Sequence, residues 1–379
     1  MLIFVMKHFV LTLLGLLSFC LAIRAEVYSG ECGDNGNNLT WTLDTETGKL
    51  VISGNGAMTQ NPWRDYRNSI RIVDIQEGVT SIVNSAFADC SNLTNATIAA
   101  SVTRINYYAF LDCISLSNIT IPNNATYIGS SAFEGCTNLL NIIIPCTTIE
   151  SYAFQHCTNL KKITIKNGVK EIKKGAFDNC TSIEKVIVED GEETLTLGAG
   201  GGYNNGLFHN SPIKNLYIGR NLEYNTTSDY GYSPFYALRT ILSLNIGSQV
   251  SILKDNAFNN CTNLNSITCQ NSNPPICGTN TFTSVNTSTC KLSVPKSSVN
   301  TYKSTNPWSD FKNIVTFSPF SGEVEIDGIN YELNGETKQA TVITKSSGSY
   351  SGNVVIPESV EHEGTAYSVT SIGDWAFED

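Results

Sequence analysis

The chain has 379 residues, with Lys+Arg 24 against Asp+Glu 34, a formal charge of −10 and a pI near 5.0. Phosphate backbones are poor partners for such a surface, so nucleic-acid binding is set aside. Apolar residues make up 41% and charged residues 15%, which is enough to fill a core and argues against wholesale disorder. Twelve cysteines are many for an ordinary cytosolic protein and few for a disulfide-dense miniprotein.

The N-terminus comes first. Lys7 and His8 precede the apolar run Phe9–Leu21, which leads into Ala22-Ile-Arg-Ala25. This is the pattern of a secretory signal, residues 1–25, removed before Glu26. Lipoprotein processing at Cys20 is the minor alternative, disfavoured by the bulky Phe19 before it. No later stretch is long and apolar enough to be a membrane helix, so the mature chain is expected to be exported, secreted or at the cell surface, without a transmembrane segment.

A repeat of about 23 residues follows. Ala-Phe recurs at Phe87, Phe110, Phe133, Phe154, Phe177 and Phe258, and three residues after each stands Cys90, Cys113, Cys136, Cys157, Cys180 or Cys261. An aliphatic residue stands six after each phenylalanine, from Leu93 to Leu264, and another five before, from Ile82 to Leu253. Each unit continues into an Ile-x-Ile alternation, the period of a strand with one face inward. One such unit cannot bury its apolar face alone, so neighbours must stack into a solenoid with one continuous core. Degenerate copies at Leu207-Phe208 and Pro234-Phe235 fill the gap before Phe258.

This pattern resembles the BspA-like leucine-rich repeat family of bacterial, Bacteroides-type surface proteins, over about residues 26–379. The resemblance implies a right-handed leucine-rich-repeat solenoid, β-rich, with a short strand plus a short helix or 3-10 turn per repeat and β-hairpin caps. Residues 26–78, with Trp41 and Asn61-Pro-Trp63, look like the family's N-terminal hairpin cap. Residues 79–289 form the solenoid, with insertions near 189–205 and 220–233, and residues 290–317, with Tyr302 and Trp308, look like its C-terminal cap. In residues 318–379, Val324–Tyr331 and Ala340–Ile343 read as hairpin strands before the repeat restarts at Val369 and Ala376-Phe377. The next cysteine would fall just past Asp379, so a second, truncated repeat block is expected.

One cysteine per turn reads as a ladder of small buried thiols packed between strand and turn. Cys146 and Cys269 fall at inward positions. Cys277 and Cys290 flank a looser segment and are the disulfide candidates. No metal, cofactor or catalytic residue is nominated. Close C-x-x-C pairing is missing, as are nucleophile-elbow and phosphate-loop motifs. His156, His209 and His362 read as ordinary loop or surface residues, Glu189–Glu193 as a solvated acidic turn without calcium-loop spacing, and Gly198–Gly202 as a flexible loop. The chain therefore reads as non-catalytic.

Binding is expected on the face built from one strand per repeat. Its outward positions are neutral at first, as at Asn95 and Asn118, then lysine-bearing at Lys162 and Lys185. Phe177 to Phe208 is 31 residues and Phe208 to Phe235 is 27, so consecutive units carry insertions. In this stretch lie Tyr203, Tyr217, Tyr224, Tyr230, Tyr232 and Tyr236, six of sixteen tyrosines, and tyrosine suits protein or sugar partners. The resemblance implies adhesion through host or microbial surface proteins. The alternative is a glycan-binding receptor module, or the targeting portion of a larger protein.

Overall fold

The computed structural model describes residues 26–34, 36–198, 206–225, 233–317, 321–335, 337–345, 350, 354–362 and 365–377. Each repeat makes one turn of a three-sided coil. On the first side, Asn141–Ile144, Lys162–Ile165, Lys185–Val188, Asn215–Ile218, Ser243–Ile246 and Ser266–Cys269 pair in parallel. Their register stacks Ile142, Ile163, Val186, Leu216, Leu244 and Ile267 in one buried row. On the second side, two-residue strands such as Arg104–Ile105, Tyr127–Ile128 and Thr148–Ile149 pair in parallel, burying the aliphatic residue five before each phenylalanine.

The third side carries the phenylalanines and is not helical. Left-handed backbone recurs at two positions, one two before the phenylalanine in most turns (Ser85, Ser131, Gly175, Asn256) and one two after (Asp89, Asp112, Asn179, Asn260). Left-handed residues interrupt a right-handed helix, so of the expected short helix or 3-10 turn the chain takes the turn, with isolated i→i+3 bonds such as Cys90 N–H to Phe87 O and Leu93 N–H to Cys90 O. The amides freed this way reach the adjacent turn, Phe87 N–H to Ala109 O, Phe110 N–H to Ala132 O and Phe133 N–H to Ala153 O, at 2.7–2.8 Å. All three sides are thus stitched turn to turn.

Inside, Phe87, Phe110, Phe133, Phe154, Phe177, Phe208, Phe235, Phe258 and Phe282 form one column, with centroids 5.0–6.0 Å apart. The thiols sit beside it, fully buried. The Sγ–H of Cys113, Cys136, Cys157, Cys180 and Cys261 donates to the carbonyl of the phenylalanine one turn back, at 3.1–3.2 Å. Where the degenerate repeat has Ser211, its hydroxyl makes the same contact to Phe177 O at 2.7 Å. This position therefore selects a small proton donor that satisfies a buried carbonyl.

The disulfide expectation is corrected. Cys277 and Cys290 are free, like all eleven described cysteines. Cys277 stands on the strand Ile276–Cys277 of the second side with its sulphur at Pro275 O, whereas Cys290 directly precedes the first-side strand Lys291–Pro295 and is buried in the core. They thus belong to different sides of the coil.

Tryptophans seal both ends of the column. At the start, an antiparallel hairpin of Val27–Gly33, Gly36–Asp44 and Lys49–Gly54 feeds the first side. Trp63 stacks on Phe87 at 5.7 Å, and its Nε1–H donates to Ala86 O. At the other end, Trp308 and Phe311 meet Phe282 edge-on at 5.2 and 5.4 Å. This end is not a hairpin. Lys291–Pro295 and Asn313–Phe317 are parallel and joined through the helical segment 296–304, with Tyr302 fully buried. Beyond it, Gly322–Ile326, Ile329–Asn334, Gln339–Val342, Thr365–Ile372 and Ser359–His362 form a five-stranded sheet with its own core around Tyr331, Val342 and Tyr367. The restarted repeat is visible as left-handed Trp375 followed by buried Ala376.

Two outcomes are expected. Phe133→Ala removes a ring from the middle of the column and destabilises by about 3–5 kcal/mol. Cys136→Ser, which keeps a donor for Phe110 O, retains more stability than Cys136→Ala in urea titrations. The thiols also set an alkaline limit. Burial pushes Cys90, Cys146 and Cys261 up to about 12 from an ordinary 9.0. Below pH 9 both folded and unfolded thiols are protonated; above it only the unfolded chain loses protons. Stability is therefore lost as pH rises from 9 to 12, by up to about 1.4 kcal/mol per pH unit for each thiol. Melting against pH measures the slope, and Cys90→Ser with Cys146→Ser flattens it.

Candidate functional site

Alternation on the first-side strands puts one set of side chains in the core and the other outside. The register aligns Lys162, Lys185, Asn215 and Ser243 in one outward row, and Thr164, Ile187, Tyr217 and Asn245 in the next. The five-stranded unit lies against this face. Lys185 Nζ meets Glu361 at 3.1 Å, Lys166 Nζ meets Glu358 at 2.7 Å, and Lys338 donates to Gln270 Oε1 at 3.4 Å. Between unit and solenoid remains a cleft of about 330 Å3, walled by Lys162, Lys185, Ile187 and Tyr217 on one side and Asp327, Val360 and Glu361 on the other.

The cleft floor is a polar network. Tyr217 O–H donates to both carboxylate oxygens of Asp190, at 2.8 and 2.9 Å. Burial, and then the negative charge of Asp190, push this phenol far above its ordinary value, so it stays a donor. Arg220 is fully buried and reaches back two turns, donating through Nη1 to Asn167 O and through Nη2 to Lys166 O at 2.8 Å. Burial raises the Glu189 carboxyl, while Lys166 pulls it back. Glu189 and Asp190 therefore belong to this network and are not merely a solvated turn. Burial also lowers the Lys338 ammonium, because the unit presses this lysine into the interface.

The expected site residues separate. Lys162, Lys185 and Tyr217 come together in the cleft. Tyr217 is only 5% exposed because Asp190 holds it and the unit covers the cleft it lines. Tyr224 is also buried. It packs in the main core with Lys254 Nζ 5.6 Å from its ring, so it serves packing and offers no open surface. Tyr236 is half-buried and accepts from Asn260 Nδ2 at 2.9 Å. Tyr203, Tyr230 and Tyr232 lie outside the described residues, as does most of the Gly198–Gly202 loop. His209 is no plain surface residue. Its Nδ1 lies 2.8 Å from buried Asp178, which also accepts from Gln155 Nε2. Asp190 and Arg220 were hidden because their partners lie 27 and more than 50 residues away.

Among the described residues no cluster of metal-ligating side chains occurs and no helix is long and apolar enough to cross a membrane. A parallel coil with one phenylalanine, one small donor and two aliphatic rows per turn is a leucine-rich-repeat solenoid. The chain belongs to the family described as BspA type leucine rich repeat region, whose six copies match residues 65–184, 141–230 and 228–318. No curated protein matches the sequence. Among solved structures it is similar to a leucine-rich repeat protein from Eubacterium ventriosum (19% identity, 77% of this chain and 86% of that one, TM-score 0.40). It is also similar to a leucine rich cell surface protein from Faecalibacterium prausnitzii (20%, 90% and 72%, 0.35) and to a leucine-rich repeat protein from Bacteroides ovatus (18%, 78% and 99%, 0.26).

Lys185 and Glu361 are 39% and 32% exposed, so their pairing is expected to contribute only about 0.2–1 kcal/mol. Lys185→Glu and Glu361→Lys each destabilise, and the double variant recovers the loss. A double-mutant cycle in denaturant, repeated at raised salt, measures this coupling and its screening.

Proposed function

We propose that this protein is an exported, non-catalytic interaction module that adheres to host or microbial surface proteins through the lysine-bearing face of its solenoid. The observation that carries this reading is the seating of the chain's own acidic segment on that face, with Glu358 on Lys166 and Glu361 on Lys185. The chemistry that holds Pro357–His362 there would hold an acidic segment of another protein in the same way. Because each pair is partly exposed and weak, such a segment can compete for the face. The signal-like segment 1–25 supports delivery outside the cell. The boundaries 26–78, 79–289, 290–317 and 318–379 remain the working division for truncations.

The test is binding of the whole chain to a panel of immobilised extracellular-matrix proteins. Expected is saturable binding to at least one member, weakened by added NaCl and lost in a Lys162→Glu, Lys185→Glu variant that still unfolds cooperatively, with stability lowered by no more than loss of the Lys185–Glu361 pair accounts for. Binding to none, or binding indifferent to both lysines, overturns the reading.

A further inference from the structure

We propose that the corner between the second and third sides carries a second binding site, a platform of Tyr108 and Tyr152 flanked by Tyr107, Tyr127 and Arg104, which takes a linear β-1,4-linked saccharide chain. The site shares no residue with the lysine-bearing face and does not depend on the function proposed for that face.

Backbone conformation points to it first. The position two before each phenylalanine is left-handed in turn after turn, and it is filled by Ser85, Ser131, Gly175, Asn256 and Asn280 at φ between 53° and 65°. These are small residues or asparagine, which tolerate that region. Tyr108 (φ 59°) and Tyr152 (φ 64°), like Trp375 (φ 67°) in the restarted repeat, break the pattern by placing a bulky side chain there. An unfavourable backbone choice that packing does not demand is a mark of function. Packing does not demand Tyr108. It is 45% exposed, and among the described residues its ring meets no other ring and its phenol no hydrogen-bond partner.

The surroundings are those of a built platform. Tyr127 anchors it, with Arg104 over its ring at 4.2 Å and the exposed Tyr107 edge-on at 6.2 Å. Tyr152 lies over the following turn, where a Cβ at Gly175 would come 2.4 Å from its ring, so glycine there gives the tyrosine its seat. The intervening turn has only small side chains at the matching positions, Ser130, whose hydroxyl donates to Ser151 O at 2.7 Å, and the buried Ser131.

The spacing and the chemistry select the ligand. Tyr108 and Tyr152 occupy the same position two turns apart, and at strand spacing this separates them by about 10 Å along the coil. That matches one two-sugar repeat of a β-1,4-linked chain, which turns the same sugar face to one side at every second residue. Tyrosine rings accept the apolar face of a pyranose, and their phenols are amphipathic partners for its rim. Hydroxyls would be met by Arg104 and by the Glu150–Lys173 pair, closed at 2.7 Å on the same surface.

Calorimetric titration of the whole chain with cellohexaose, chitohexaose and mannohexaose tests the site. At least one hexasaccharide is expected to bind, and Tyr108→Gly and Tyr152→Ala each to weaken it by about tenfold or more. Tyr108→Gly is expected to keep or raise the melting temperature, because it relieves a left-handed tyrosine. This combination separates a binding residue from a structural one. Silence with all three sugars overturns the proposal, as does binding that survives both substitutions. Loss of matrix-protein binding in Tyr108→Gly, with no saccharide bound, overturns it in favour of a protein contact.

Discussion

The column of phenylalanine rings is the constraint to which the rest of the molecule conforms. Parallel pairing sets the rise per turn at about 4.8 Å, and rings that must pack face to face at 5.0–6.0 Å leave room for one aromatic residue per turn. Everything else in the repeat serves this placement. The aliphatic rows wall the column, the left-handed residues flanking the phenylalanines turn their backbone towards the neighbouring turn, and the thiols satisfy carbonyls that would otherwise be buried without partners. Trp63 and Trp308 appear where the column ends because a terminal ring needs a broad apolar lid that can also donate a hydrogen bond.

The same constraint explains how irregular units are absorbed. Phe177 and Phe208 are 31 residues apart in sequence yet 5.5 Å apart in space and within 8° of parallel. Ring spacing is independent of the number of residues between rings, so length variation is confined to the connections. The thiol position tolerates exchange on chemical grounds, as Ser211 shows. It also bears on resistance to oxidation. Thiols survive oxidants by being protonated and inaccessible, and both conditions follow from burial beside the rings.

How much of this was legible in the sequence depends on the range of each interaction. The column, the thiol ladder and the aliphatic rows repeat at a fixed interval, so Phe87 to Phe258 and Cys90 to Cys261 could be placed by counting. Lys162 and Lys185 could be assigned outward by alternation alone. Tyr217 obeys the same alternation and is nevertheless buried, because Asp190 and a sheet more than a hundred residues later close over it. Cys277 and Cys290 looked paired for want of a repeat register, which only the two sides of the coil supply. The tyrosines at positions 108 and 152 were visible as residues, but their meaning appears only once the left-handed backbone of that position is known. Of the short helix or 3-10 turn expected on the third side, the same backbone selects the turn.

The small donor beside each phenylalanine also grades the junctions between turns. At the turn of Phe235 its place is taken by Leu238, which has no proton to give. One junction further on, the paired strands of the second side stop at Leu222–Glu223 and begin again, in a separate pair, at Ile252–Leu253. There the donor is present, Cys261 to Phe235 O, and side chains span the interrupted side, with Asn221 Oδ1 accepting from Ser251 N–H and Glu223 pairing with Lys254. A stacked array behaves as a chain of nearest-neighbour couplings, and here a link lost from one side of a junction is matched by links kept on the others.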